Sequence, residues 1–321
     1  MTERPFDAAV AGSGPAGAAA ALTLARRGAR VALFDPRPSH KIVGESLVPS
    51  VKILLTELGV WDRFVAGGHA PCYGNLSAWG GDELSELDFI RSPFGHGWHL
   101  DRARFDAMLR DAACEAGAVR VDALPDARWT IDATGRVHAI ARARGAKRVH
   151  EDALVAYYAT FRSDRGTDED SRTLVEAVSD GWFHTALLPN GERVVTYFTE
   201  ERKAFEQLDT TKHVRRILEE HHYEQSGVIH ATDARSSRLQ KLYGSDWLAA
   251  GDAALSFDPL SSQGIVAALY SGVKAANAVL SGNLSAYDAA MTTLWDAFLV
   301  NRKAWYAVET RWRTPFWLRR R

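Results

Sequence analysis

The tightest constraint on this chain sits at its start, where Asp7-Ala-Ala-Val-Ala-Gly-Ser-Gly-Pro-Ala-Gly17 runs a short apolar segment into Gly12-x-Gly14-x-x-Gly17. Helix-forming residues follow from Pro15 to about Arg27, with alanines on the packing side and Gly28 as a stop. Arg30-Val-Ala-Leu-Phe-Asp35 then reads as a second buried strand, its acidic end 18 residues after Gly17. Strand, glycine turn, helix and a strand ending in a carboxylate define a parallel βαβ unit that holds a dinucleotide. Gly12 permits the tight turn, and Gly14 lets the backbone approach a pyrophosphate. Pro15 and Ala16 open the helix whose N-terminal dipole faces that charge. Gly17 allows close helix–strand contact. Asp35, followed by Pro36 and Arg37, accepts hydrogen bonds from a ribose hydroxyl. This fingerprint alone does not separate NAD from FAD.

Three later segments bear on that choice. The first is Gly44-Glu45-Ser46-Leu47, close after the second strand. The second is Arg102-Ala-Arg-Phe-Asp106, opening a helix that reaches roughly to Gly117. The third is Trp247-Leu-Ala-Ala-Gly251-Asp252, followed by Asp258-Pro259-Leu-Ser-Ser-Gln263-Gly264-Ile265. In the third, an apolar strand brings the Asp252 carboxylate to the sheet edge, where ribityl hydroxyls can donate to it. The loop after it sets Gln263, Gly264 and Ile265 at a helix N-terminus, whose positive end suits a flavin edge that becomes anionic on reduction. Together these segments resemble the superfamily of FAD-dependent aromatic monooxygenases and halogenases. The resemblance implies an α/β chain: a glutathione-reductase-like FAD-binding Rossmann fold with an inserted β-rich substrate lobe and C-terminal helices. It also implies that Glu45 and Ser46 lie beside the flavin, and that Arg102, Asp252, Pro259, Gln263, Gly264 and Ile265 join the fingerprint residues in holding it. Ile131-Asp132-Ala-Thr-Gly135-Arg136 resembles a strand end of the same folds, with a structural role for Asp132.

A narrower likeness covers nearly the whole chain: tryptophan-halogenase-like flavoproteins, including maturases that oxidise tryptophan in quinone-cofactor proteins. It rests on the segment from Pro71 to Trp79, on the segment from Gly95 to Arg102, and on the C-terminal Glu309/Arg311-Trp312/Phe316-Trp317 pattern. Two departures from the halogenases stand out. They need an active-site lysine in the stretch matching Cys72 to Trp79, which here has none, and their second tryptophan is missing from Trp182-Phe-His184-Thr-Ala-Leu-Leu188-Pro189. The short segment from Val119 to Thr130 leaves little room for extra strands, which implies an open substrate face.

Organisation follows from motif placement. Residues 1–70, 100–148 and 235–282 are expected to form the FAD-binding lobe, residues 71–99 and 149–234 the substrate lobe, and residues 283–321 a C-terminal helical segment. Apolar runs at strand length begin at Leu154, Gly181 and Arg193, and residues 207–220 read as helix. The terminal aromatics and arginines fit either a cap on the substrate lobe or a basic, aromatic docking surface. A net charge of −1 gives no electrostatic case for nucleic acid. No uninterrupted apolar stretch of membrane-spanning length is seen, and no signal-peptide layout precedes the first strand. Two cysteines without metal-ligand spacing imply no metal site and a reducing, cytoplasmic location.

By resemblance, reduced flavin activates O₂ and an oxygen atom passes to an electron-rich ring. The substrate is then an aromatic small molecule, or a tryptophan or tyrosine side chain within a peptide or protein. Electrons come from NAD(P)H or from a separate flavin reductase. Catalytic candidates are Glu45, His99 and His184, a neutral imidazole being able to take a proton from an activated ring. The alternatives are a reductase or dehydrogenase of the prenyl-reductase type, and a flavoprotein without turnover that serves as an assembly factor.

Overall fold

A computed structural model describes residues 6–35, 46–201 and 205–321. Five parallel strands form the sheet that carries the glycine fingerprint, in the order Trp247–Ala249, Ala127–Asp132, Phe6–Ala11, Val31–Phe34, Val119–Val121. Their register aligns Ala11 with Phe34 and Asp132, and Asp132 with Ala249. The carboxyl ends of four strands therefore share one edge, and the Gly12, Asp35, Ala133 and Gly251 turns leave from it side by side. Parallel strands are buried on both faces, which explains why Ala8 to Val10 are fully enclosed.

The Pro15–Arg26 helix packs on this sheet through alanines, with Ala18 to Ala21 fully buried. It ends at Gly28, whose φ of +82° is a left-handed conformation that glycine adopts without strain. The Gly264–Ser281 helix lies against it. Among the described residues, that 18-residue helix is long and apolar enough to cross a membrane by length and composition, although Lys274 and Asn277 interrupt its apolar run. Half of it is buried within the protein, and its small residues meet the alanine face of Pro15–Arg26.

A larger mixed sheet stands opposite. Its path is Glu224–Gln225, Val155–Arg162, Arg193–Thr199, Gly181–Leu187, Thr173–Val178, Gly74–Ala78, Ser85–Asp88, with His230–Asp233 also pairing Val155–Arg162. One face holds Phe183, Val195, Tyr197 and Leu174 against the His213–Glu220 helix. The expected helix from residue 207 is shorter than that, because a 3₁₀ turn at Leu208–Thr210 precedes an extended Thr211. The other face looks into a cleft towards the parallel sheet. Ser46–Leu47, Gly97–His99 and Ala70–Cys72 form a small separate sheet that spans the boundary expected at residue 70.

The C-terminus corrects the reading of a docking surface. The Leu284–Val308 helix stops, the chain turns, and Pro315–Leu318 forms a single short helix. Glu309, fully buried, accepts from the Gly80 N–H at 2.8 Å and pairs with Arg311, which tucks the turn under the mixed sheet. Phe316 and Trp317 are buried, Trp317 Nε1 donates to the Val178 carbonyl at 3.0 Å, and Arg319 and Arg320 both pair with Glu200. Residues that look like a basic aromatic surface in sequence are thus largely internal. Trp317→Ala should cost about 3–5 kcal/mol. Equilibrium urea unfolding reads this directly, and a loss below 1 kcal/mol or so, as for a surface residue, would show that the tail packs loosely.

Candidate active site

The two sheets enclose a cleft of about 1020 Å³. On the parallel-sheet side it is bordered by Gly12, Ser13, Gly14, Asp35, Asp252, Pro259, Gly264 and Ile265, and all of these except Ser13 are predicted cofactor residues that converge there. Gly12 has φ +108°, and a Cβ on it would lie 2.1 Å from the Ala133 carbonyl oxygen. A Cβ on Gly17 would lie 1.8 Å from the Gly12 carbonyl oxygen. Both glycines are demanded by the protein's own backbone. Gly14 and Gly264 are different: a Cβ on either meets no protein atom within 4 Å. They stand at the N-termini of the Pro15–Arg26 and Gly264–Ser281 helices, so a side chain at either would fill the cradle between the two positive dipole ends.

Carboxylates mark two sides of this cradle. Asp35 accepts a 2.5 Å hydrogen bond from the Ser13 hydroxyl. Asp252 pairs with Arg136 Nε at 3.4 Å. Arg136 also donates to the Arg235 carbonyl at 2.6 Å, and Arg148 donates to the Asp252 carbonyl at 2.8 Å. Two arginines that sequence reasoning did not single out for the site therefore hold the Gly251-Asp252 turn. Gly251 itself has φ +62° and donates its N–H to the Ser271 hydroxyl at 2.8 Å. Asp132 is fully buried and accepts from Thr134 and from the Ala141 N–H, which is the structural role expected of it. Arg102 borders the cleft and pairs with Asp106 at 3.3 Å.

The floor of the cleft comes from the mixed sheet, and its register lines side chains up in rows. Ser85, Ser77, Val175, His184, Thr196 and Tyr158 are successive cross-strand partners. Trp182, Phe198, Ala156 and Thr232 form the next row, with Trp182 and Phe198 stacked at 3.9 Å between ring centres. Strand alternation in the Gly181 and Arg193 segments would have picked out Trp182 and Phe198 as companions of His184.

His184 borders the cleft, and its ring has no hydrogen bond to any described residue. Burial, helped by the Arg193 guanidinium nearby, pushes its pKa down to about 4. His99 is placed differently from the catalytic expectation. It lies behind the cleft wall, 1% exposed, with Nε2 at 2.6 Å from the Ser171 carbonyl and Nδ1 at 3.0 Å from the Ser46 hydroxyl. A carbonyl only accepts, so Nε2 carries the proton. Burial holds the ring neutral, so Nδ1 accepts from Ser46. Ser46 reaches the cleft, and His99 orients it. Among the other predicted residues, Pro15, Ala16 and Gly17 serve helix packing and Gln263 precedes the helix outside the lining. Pro36, Arg37 and Glu45 lie outside the described residues.

A parallel-sheet edge with two glycine-led helix N-termini, opposed by an aromatic floor in one cleft, defines a dinucleotide flavoprotein site. Residues 6–159 match the family model described as an FAD binding domain. Over 98% of its length the chain is 28% identical to an FAD-dependent oxidoreductase, LodB of Marinomonas mediterranea, covering 96% of that protein. In fold it is similar to the myxobacterial chondrochloren halogenase CndH (TM-score 0.84, 24% identity, covering 99% of this chain and 86% of that one). It is also similar to the peptidyl tryptophan dihydroxylase QhpG (TM-score 0.80, 24% identity, covering 99% and 79%). The chain carries an FAD binding domain, and its neighbours in sequence and fold are halogenase-like flavoproteins.

The two kinds of glycine separate experimentally. Gly17→Val should fail to fold or melt far below the parent, because backbone atoms cannot yield the required space. Gly14→Val should keep the parent melting temperature without cofactor yet lose FAD uptake, measured by flavin absorbance after gel filtration. Full uptake by Gly14→Val would remove the cradle from this site.

Proposed function

We propose that the protein is an FAD-dependent monooxygenase that oxidises an electron-rich aromatic ring, with a tryptophan or tyrosine side chain in a polypeptide as the favoured substrate. The observation that carries this reading is the composition of one continuous cleft. Its cradle side fits the dinucleotide, its floor offers stacked indole and phenyl rings with an unpartnered neutral imidazole, and no described residue lining it is a lysine. The halogenase neighbours favour halide chemistry as the second reading, and the missing lysine argues against it.

In this reading Gly14, Gly264, Asp35, Asp252 and Arg102 hold FAD, which supplies reductive activation of O₂ when bound. Trp182 and Phe198, buried and stacked on each other, back the floor with apolar surface that keeps water from a bound ring. The hydroxyls of Ser77, Thr196 and Tyr158 can anchor polar substituents. His184, neutral because burial disfavours its charged form, takes the proton that an oxygenated ring carbon must lose. The rim includes exposed Leu87 and Val308, and its Ser85–Asp88 edge strand has every residue exposed. Such an open apolar rim suits a polypeptide, the class of substrate named for QhpG. NAD(P)H or a separate flavin reductase is the electron source in this scheme.

The test supplies reduced FAD, ¹⁸O₂ and bromide to the protein with peptide-embedded tryptophan or tyrosine, alongside the free amino acids. Mass gain from ¹⁸O in the peptide, without a bromine isotope pattern, is the expected outcome. A brominated product, or turnover of free amino acids alone, would overturn it.

His184 gives a second check. Its folded pKa lies below the ordinary value of 6.5, so the unfolded chain binds the extra proton as pH falls from about 6.5 to about 4, and stability drops through that window. His99 and His69 are shifted in the same direction, so the comparison must be with a variant. The urea midpoint of His184→Asn should fall less steeply over this range than the parent's. Parallel curves would mean that His184 titrates normally and is not a buried neutral base.

A further inference from the structure

One buried polar line runs from the floor residue Trp182 away from the cleft. Trp182 Nε1 donates to the Tyr306 hydroxyl at 3.0 Å, and that hydroxyl donates to Asp258 Oδ2 at 2.9 Å. The three residues are 1%, 0% and 1% exposed. Asp258 also faces Arg302 Nε at 3.3 Å, and Arg302 pairs with Asp152 at 2.9 Å. Trp182 and Asp258 border the cleft, whereas Tyr306 stands behind them on the Leu284–Val308 helix. Beyond Tyr306 the rings continue. Its centre is 5.8 Å from Trp317, which is stacked at 6.0 Å on the half-buried Trp312.

A hydrophobic joint between lobes needs rings and no such line, and phenylalanine at position 306 would fill the same space. We propose that Tyr306 is a redox-active side chain, an outlet through which a stray oxidising equivalent in the cleft is drained, with Trp182 as the electron relay and Asp258 as the proton acceptor. The proposal rests on reading the cleft as the flavin site. The Trp182 indole would give up one electron to a one-electron oxidant in the cleft, of the class that a bound flavin supplies. Tyr306 refills that indole with one electron while its O–H bond breaks and the proton passes to Asp258 Oδ2. The balance is an oxidant reduced by one electron, a neutral tyrosyl radical and a protonated Asp258. A soluble thiol or ascorbate-type reductant returns one electron at Trp312, through Trp317, and Asp258 returns the proton.

The charges around the ring decide where the radical rests. The Arg302 and Arg320 guanidinium groups lie 5.4 and 5.5 Å from the Tyr306 ring centre. Two positive charges oppose a radical cation there, so electron loss has to accompany proton loss, and the partner of the phenolic proton is Asp258. Burial raises the Asp258 pKa above the usual carboxylate range, which helps it keep that proton. Arg311 sits 4.2 Å from the Trp312 ring centre and opposes a positive hole at the surface end. The hole therefore settles on Tyr306.

Transient absorption on the FAD-loaded protein tests this, after bound flavin is confirmed by its visible spectrum. Blue-light excitation of the oxidised flavin provides the oxidant. The expected result is a shortened flavin excited state followed by a neutral tyrosyl signature that forms more slowly in D₂O. Tyr306→Phe, which keeps the ring packing, should lose the tyrosyl signature and leave a tryptophanyl one. Trp182→Phe should lengthen the flavin excited state and abolish the tyrosyl signal. An unchanged radical spectrum in Tyr306→Phe, no solvent isotope effect, or an unquenched flavin in the parent would each overturn the outlet. Failure to take up flavin at all would instead sink the reading of the cleft on which the outlet depends.

Discussion

The Pro15–Arg26 helix approaches its neighbours more closely than side chains allow, and the geometry of the site depends on that approach. Gly17 brings the helix onto the Gly12 carbonyl, and Gly272 brings the Gly264–Ser281 helix onto the Ala16 backbone, where a Cβ would lie 2.2 Å from the carbonyl oxygen. A Cβ on Gly251 would lie 2.6 Å from the Ala16 Cβ, so the third turn is fixed against the same residue. With these contacts the two helix N-termini open into one cleft at the carboxyl edge of the sheet. A bulkier residue at any of them would part the helices, and the paired dipole ends would no longer face one cradle.

Charge pairs then tie this edge to the mixed sheet. Arg136 spans from Asp252 to the Arg235 carbonyl and the neighbourhood of Asp233, and Arg302 spans from Asp258 to Asp152. A buried ion pair is a weak source of net stability, because desolvation offsets most of the attraction. Its geometric effect is larger. Each arginine has its donors committed on both sides, and for the buried Arg302 a relative displacement of the two sheets would strand a charge in a dry interior. That fixes the distance between cradle and floor better than apolar packing alone, which tolerates sliding.

The parts of this arrangement legible in sequence are those whose cause is local. Gly12, Gly14, Gly17 and Asp35 fall within one βαβ unit, and Gly251-Asp252 with Gly264 falls within one strand–loop–helix unit, so spacing alone carries them. The floor was only half legible. Alternation puts Trp182 and His184 on one face, but their neighbours Thr196, Tyr158 and Ser77 come from register between distant segments. Arg136 and Tyr306 were opaque for the same reason, since their partners lie 116 and 48 residues away along the chain. The C-terminal tail misleads because arginine and tryptophan are as common on docking surfaces as in a joint like this one. Long-range contacts, of Glu309 to Gly80 and of Trp317 to the Val178 carbonyl, show that the chain turns inward.

The two histidines show why sequence context alone did not separate a chemical group from a supporting one. Both have pKa values lowered by burial, and both sit near aromatic residues. Their difference lies in the hydrogen bonds. His99 has one nitrogen committed to a carbonyl and the other to Ser46, so it can neither give nor take a proton without breaking a buried bond. His184 has neither nitrogen engaged by a described residue, and its place in the floor row turns it to the cleft. Half-buried at the cleft face, the His184 ring keeps both nitrogens open to a bound molecule, whereas an apolar residue would fill the floor equally well. That difference in hydrogen bonding is why His184, and not His99, is the candidate base in the proposed reaction.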